Sequence, residues 1–311
     1  MTRRAGARPV DDGGDMRLQL LKAIGLAAVV AGALGYAGGA SAAEIGTGGK
    51  LLLTGGVSSL EGGAGGGLAT WAVIAGNETD SGVGGKVHAT YVDVSDYTLR
   101  AAGAAVGLHD RIELSVARQE FDTGATGAKL GLGKGFTFKQ DIVGVKLRVL
   151  GDAVYEQDTW VPQVAIGAQY KKNNQDAIVR AIGGRKDSGV DYYVAATKLV
   201  LDKSLVLSGA VRLTKANQTG LLGFGGDQND SYKAQFEGSA GLLLSKRLAV
   251  GAEYRTKPSN LGFAKEDDWV DLFAAYALNK TVSVTAAYVD LGDIATFKDQ
   301  RGIYVSLQAG F

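Results

Sequence analysis

Lysine and arginine recur at alternate positions in this sequence, inside short segments whose other alternate positions are apolar. Lys146 and Arg148 interleave with Val143, Val145, Leu147 and Val149, while Glu253 and Arg255 interleave with Leu248, Val250, Ala252 and Tyr254. Successive side chains of a β-strand point to opposite faces, so each segment would carry charge on one face and hydrocarbon on the other. The same reading places Arg100, Lys198 and Arg212 on the polar face, with Lys86, His88 and Lys233, and sets Glu113, Glu237 and Asp271 opposite them. If those faces enclose a lumen, basic groups outnumber acidic ones there, and the enclosed field would concentrate anions and favour their passage. The candidate solute-binding set is Lys146, Arg148, Lys198, Arg212, Arg255, Arg100 and Glu253, with Arg148, Arg212 and Arg255 leading at a constriction. The alternative is that these charges pair across a narrow interior and close it.

Other chemistries find less support. A Ser–His hydrolase needs a histidine base, and only His88 and His109 are available; His88 lies in a strand pattern but has no serine named for it by spacing. The run Gly131-Leu-Gly-Lys-Gly135 lacks both the Ser/Thr after Lys134 and the upstream glycine of a phosphate loop. Two acidic clusters, Asp227/Asn229/Asp230 and Glu266/Asp267/Asp268, are rich in oxygen but match no calcium loop. The expectation is a non-enzyme with no cofactor and no resident metal.

The elements that position these residues follow from composition. The chain has 311 residues with 46% hydrophobic, 47 Gly, 3 Pro and no Cys, and its formal charge is +1. So much apolar content argues against disorder, the absence of cysteine removes disulfide scaffolds and thiolate metal sites, and the balanced charge offers nucleic acid no footprint. Abundant glycine with little proline suits many strands and turns.

From Met16 the sequence reads MRLQLLKAIGLAAVVAGALGYAGGASAAE, with basic Arg17 and Lys22, an apolar stretch over Ala23 to Ala37, and an Ala-Ser-Ala site at residues 40–42. This is the pattern of a secretory signal peptide over 16–42, with 1–15 as an upstream extension ahead of the true start and 43–311 as the mature chain. No later run of 18 apolar residues offers a membrane helix.

Past Ala43 the period is two, in units of about ten residues, the length of a tilted bilayer-crossing strand. Candidates lie near 50–57, 70–76, 83–92, 97–108, 111–121, 141–151, 160–170, 192–201, 204–213, 232–244, 248–257, 268–278, 282–289 and 302–311. They make fourteen, with twelve as the alternative if the first two drop out. Connections alternate between tight (109–110, 202–203, 245–247, 279–280) and long (122–140, 171–191, 214–231, 258–267, 292–301), as periplasmic turns and outer loops do. The last strand alternates Ile303, Val305, Leu307, Ala309 and Phe311 with polar or small residues, resembling the terminal-phenylalanine signal read by the barrel assembly machinery. Tyr91, Trp160, Tyr170, Tyr232, Tyr254, Trp269 and Tyr288 suit interfacial girdles. The loop Leu221 to Gly226, with Leu221, Leu222 and Phe224, suits either a gate folded into the lumen or a patch resting on lipid.

Residues 49–62 (GKLLLTGGVSSLEG), 189–199 (GVDYYVAATKL), 220–227 (GLLGFGGD), 249–258 (AVGAEYRTKP) and 265–271 (KEDDWVD) together resemble a family of proteobacterial exported proteins regarded as outer-membrane barrels. The resemblance spans nearly all of the mature chain. No activity is established for that family, so it implies fold and location only.

The sequence thus predicts an all-β protein, a transmembrane antiparallel up-and-down β-barrel in the bacterial outer membrane. It would touch outer-membrane lipid and lipopolysaccharide, and passive passage of a small, anionic solute is its expected function. A closed structural or surface-interaction barrel is the second reading, and a soluble β-sandwich the third.

Overall fold

The computed structural model describes residues 53–77, 82–156 and 158–311. The segments 1–15 and 16–42 read as an extension and a signal peptide lie outside the described residues.

Twelve antiparallel strands close into a barrel: β3 (Val83–Val94), β4 (Thr98–Leu108), β5 (Ile112–Asp122), β6 (Thr137–Leu150), β7 (Gln163–Asn173), β8 (Ser188–Val200), β9 (Leu205–Thr214), β10 (Lys233–Ser245), β11 (Leu248–Arg255), β12 (Trp269–Ala277), β13 (Val282–Asp290) and β14 (Arg301–Gly310). Each strand pairs with its sequence neighbour, and β14 closes on β3 from Gly302↔Val94 to Gly310↔Lys86. Closure leaves no free edge, so every ladder is satisfied within the sheet, as a strand in hydrocarbon requires.

The period-two pattern is the reason for this arrangement. On β6, Val143 is 56% exposed while Lys146 is 1% exposed. Hydrocarbon therefore faces outward all round the barrel, through residues such as Leu114, Val145, Val194, Leu207 and Leu272, and polar side chains face inward. That inversion of the soluble-protein rule fits a surface solvated by lipid. Trp160, Tyr170, Tyr232, Tyr254 and Tyr288 are exposed as expected, whereas Tyr91 and Trp269 are buried, Trp269 facing the lumen.

The count of fourteen is corrected to twelve. The segments near 50–57 and 70–76 are not wall strands. Among the described residues, 53–77 are buried throughout and hold a two-residue pairing of β1 (Val57–Ser58) with β2 (Ala64–Gly65) and a single bridge between Gly65 and Thr70. Their local pattern is strand-like, but the closing partner of β3 is β14, which leaves no edge for them to join.

Loops alternate as read. One end carries the long connections between β5 and β6, β7 and β8, β9 and β10, β11 and β12, and β13 and β14, the pattern of the outer loops of membrane barrels. The 95–97 link between β3 and β4 is short beside the other connections at its end, and the 151–162 link between β6 and β7 is long beside those at the opposite end. Short helices α1 (Thr126–Lys129) and α2 (Asp176–Ala181) decorate the outer loops.

Candidate functional site

A chain segment enclosed by a barrel brings backbone N–H and C=O groups away from water, and each requires a partner. Residues 53–77 find theirs on the wall. Glu253 accepts the Leu68 N–H at 2.6 Å, Glu237 accepts that of Thr70 at 2.6 Å, and the Thr197 hydroxyl accepts that of Ala72 at 2.8 Å. Glu113 accepts the Ala75 N–H at 2.9 Å. In the other direction, the Lys146 ammonium donates to the carbonyls of Ala64 and Val73 at 2.8 and 2.9 Å, and Lys86 donates to those of Gly55 and Gly56, both at 2.7 Å. Gln163 donates to the Ala72 carbonyl at 2.8 Å and Gln119 to that of Leu60 at 2.9 Å. The segment is a plug, docked by wall side chains that take the place of a sheet.

The centre of the docking is Glu61. Its carboxylate receives both Arg255 terminal nitrogens, at 2.9 and 3.2 Å, and one Arg212 nitrogen at 3.2 Å, and it also pairs with Lys171. Arg212 in turn meets Glu237 at 2.6 Å, and Lys171 meets Asp191 at 2.7 Å. Three basic and three acidic groups thus compensate one another inside the lumen. Burial alone would push the Glu61 carboxyl up, but the charges of Arg212, Arg255 and Lys171 outweigh it and hold the group well below its ordinary value.

The predicted solute-binding residues separate into three groups. Arg212, Arg255, Lys146 and Glu253 face the lumen and bind the plug. Arg148 also faces inward, but at the end of the barrel that carries the tight turns, where it pairs with Asp110 at 3.0 Å and Asp152 at 2.8 Å. Arg100 and Lys198 are not luminal. On β4 the inward positions are Leu99 and Ala101, which leaves Arg100 exposed outside. On β8 they are Thr197 and Leu199, so Lys198 lies outside and donates to the Glu156 and Val161 carbonyls in the 151–162 link.

A net-basic lumen is also corrected. Among the described residues the buried basic groups are Lys86, Lys146, Arg148, Lys171, Arg212, Arg255 and Lys257, and the buried acidic groups are Glu61, Asp110, Glu113, Asp191, Glu237, Glu253, Glu266 and Asp271. The expected excess of bases is absent because Arg100 and Lys198 face outward and Lys233 is exposed, while Glu61 comes from outside the wall strands and Asp191 joins the inward face of β8. Glu61, Lys171 and Asp191 were the missed site residues. The available signal for Glu61 was an acidic residue beside a glycine run, preceding a set of strands whose polar faces lean basic.

The remaining candidates are absorbed elsewhere. The His88 ring is buried in the lumen and its nitrogens have no hydrogen-bond partner among the described residues, so it stands in no Ser–His pair there. Asp227 accepts the Gly262 N–H at 2.8 Å, Asp230 meets Lys215 at 3.3 Å and Glu266 meets Lys257 at 3.2 Å, which commits both acidic clusters to loop structure. Leu221, Leu222 and Phe224 are buried. The loop that carries them folds over the lumen and does not rest on lipid.

Above the plug lies a cavity of about 250 Å³, lined by residues that include Tyr97, Leu99, Phe121, Phe138, Leu222 and Trp269. Leu60 and Leu68 of the plug belong to the same apolar cluster as these residues.

A family model described as "Protein of unknown function (DUF3034)" matches residues 54–308. No curated protein matches the chain. Among solved structures, the KdgM porin is similar with TM-score 0.48 and 10% identity, over 73% of this chain and 99% of that one. The NanC porin gives TM-score 0.48 and 11% identity, over 72% and 98%. The Salmonella typhi outer membrane phospholipase dimer with bound calcium gives 0.41 and 9%, over 73% and 90%. Likeness this distant carries no functional inference.

Proposed function

The chain belongs to that family of unknown function, so membership supplies no activity, and we propose from the geometry that this outer-membrane barrel passes a small solute through its lumen when the plug of residues 53–77 yields. The observation that carries the reading is the Glu61 cluster. A lumen meant only to be filled is stabilised at least as well by hydrocarbon as by buried ion pairs, because desolvating charges offsets much of their attraction. Ion pairs and side-chain hydrogen bonds to the plug backbone instead give an interior that becomes a hydrated, polar channel once the plug moves. The basic groups are matched by acids, so the geometry does not favour anions over neutral solutes.

A second reading, a permanently closed barrel acting through its outer loops, is favoured by the completeness of the plug docking. Planar-bilayer recording of the mature chain, beside a variant lacking residues 43–77, separates the two. Channel function predicts rare openings for the intact chain and steady conductance for the deletion variant. A deletion variant that retains the heat-modifiable mobility of a folded barrel yet stays silent supports the closed barrel.

A further inference from the structure

The cavity beneath the outer loops has a composition unlike the rest of the interior. Its volume of about 250 Å³ is enclosed by aliphatic and aromatic side chains, with no charged side chain in the lining. The nearest cations, Lys257 and Arg255 over the Trp269 ring at 5.0 and 5.7 Å, are already paired with Glu266 and Glu61, so a charged ligand would be stripped of water there without a free counter-charge. An apolar cavity of roughly 150 Å³ holds benzene, so this one suits a substituted single ring or a fused pair. Tyr97, Phe121, Phe138 and Trp269 offer ring faces and edges for such a molecule.

The polar groups of the lining refine the choice. The Tyr97 hydroxyl donates to the Ile294 carbonyl at 3.4 Å, the Thr123 hydroxyl to that of Phe136 at 2.7 Å, and the Gln218 amide donates to Asp293 and accepts from Lys257, both at 3.1 Å. The Trp269 indole N–H is different: it is buried with no hydrogen-bond partner among the described residues. A buried donor without an acceptor is costly unless something supplies one.

We propose that this cavity binds a small, uncharged aromatic molecule bearing one hydrogen-bond acceptor, taken by the Trp269 indole, as the first station on the path through the barrel. Binding at the cavity stands independently of passage; its place on a path rests on the reading above. Leu60 and Leu68 place the plug in the same apolar cluster as the cavity lining.

The chain has three tryptophans, so replacing Trp71 and Trp160 by Phe leaves Trp269 as its only indole. Bromine quenches indole emission on contact. Titration with 4-bromoanisole, an ether acceptor, should quench Trp269 saturably, and the size-matched 4-bromoethylbenzene should bind about three- to tenfold more weakly. Filling the cavity with Val92→Phe should weaken both probes at least tenfold. Leu222→Asp, on the covering loop, should do the same should the strand variant not fold. Equal affinity for the two probes would overturn the indole's role. Linear quenching in every variant would overturn the site, and quenching only by phosphatidylcholine brominated in its acyl chains would reassign it to lipid. These titrations need no transport, so a probe that binds to a barrel that never conducts rejects the channel and keeps the site. A conducting deletion variant whose parent binds no probe does the reverse.

Discussion

Gly66 of the plug and Glu253 of β11 are packed so closely that a Cβ at residue 66 would stand 1.5 Å from the Glu253 Oε1 atom. The same carboxylate holds the Leu68 N–H at 2.6 Å. A side chain at residue 66 would therefore drive the Glu253 carboxylate from its position on the Leu68 N–H. Gly66→Ala should displace the plug locally and raise the open probability in bilayer recordings well above that of the parent. Gly238→Ala, where an added Cβ meets nothing within 4 Å, should leave it unchanged.

Glu61→Gln should act more strongly. It removes the shared counter-charge of Lys171, Arg212 and Arg255, and breaking a buried pair from one side costs about 3–5 kcal/mol. That is enough to change a rarely open plug into a mostly open one. Limited proteolysis should then cut within residues 53–77 in the variant while the parent resists.

The plug should also respond to acid. The Glu61 carboxyl is held below its ordinary 4.5 on docking, so the stability it lends is present in full above that value and is lost as pH falls through the depressed one. Conductance of the parent should therefore rise as the bath is acidified below about pH 4.5. In Glu61→Gln that part of the acid response should be absent.

Arg100 and Lys198 provide the complementary test of the wall register. Both lie on the outer surface, so Arg100→Ala and Lys198→Ala should leave the conductance and ion selectivity of the plug-deleted barrel unaltered. Arg255→Ala in the same background should change both, since that guanidinium then lines the opened lumen. Reversal of this pattern in recordings under a salt gradient would show the faces to be exchanged.

The lipid-facing surface makes its own prediction. Leu272 is 65% exposed on the outside of β12, and an arginine near mid-membrane costs about 2–4 kcal/mol. Leu272→Arg should lower the yield of folded barrel in lipid vesicles, read by heat-modifiable gel mobility, whereas Leu272→Val should not.

The wall was legible in the sequence because its signal is local. Val143, Val145 and Leu147 against Lys146 and Arg148 settle the facing of β6 without reference to any other segment. The facing failed where that contrast is weak. On β4 alanine and glycine populate both faces, and on β8 Tyr192 and Val194 outside are matched by Tyr193 and Leu199 inside, so a charged residue decided the reading alone. Lys198 lies near the strand end, where a long side chain reaches polar carbonyls from the lipid side. The plug was not legible for a different reason. Glu61 is separated from Arg212 by 151 positions and from Arg255 by 194, and nothing periodic connects them. The correspondence exists only once the barrel has closed.

A reversible tether tests most directly whether residues 53–77 close the path. The Ala72 N–H bonds to the Thr197 side chain at 2.8 Å, and the native chain contains no cysteine, so Ala72→Cys with Thr197→Cys would place a single thiol pair between plug and wall. Combined with Glu61→Gln, the oxidised protein should be silent in a planar bilayer and should open when reductant is added. Equal conductance before and after reduction, with the disulfide confirmed by mass, would contradict a lumen closed by this segment.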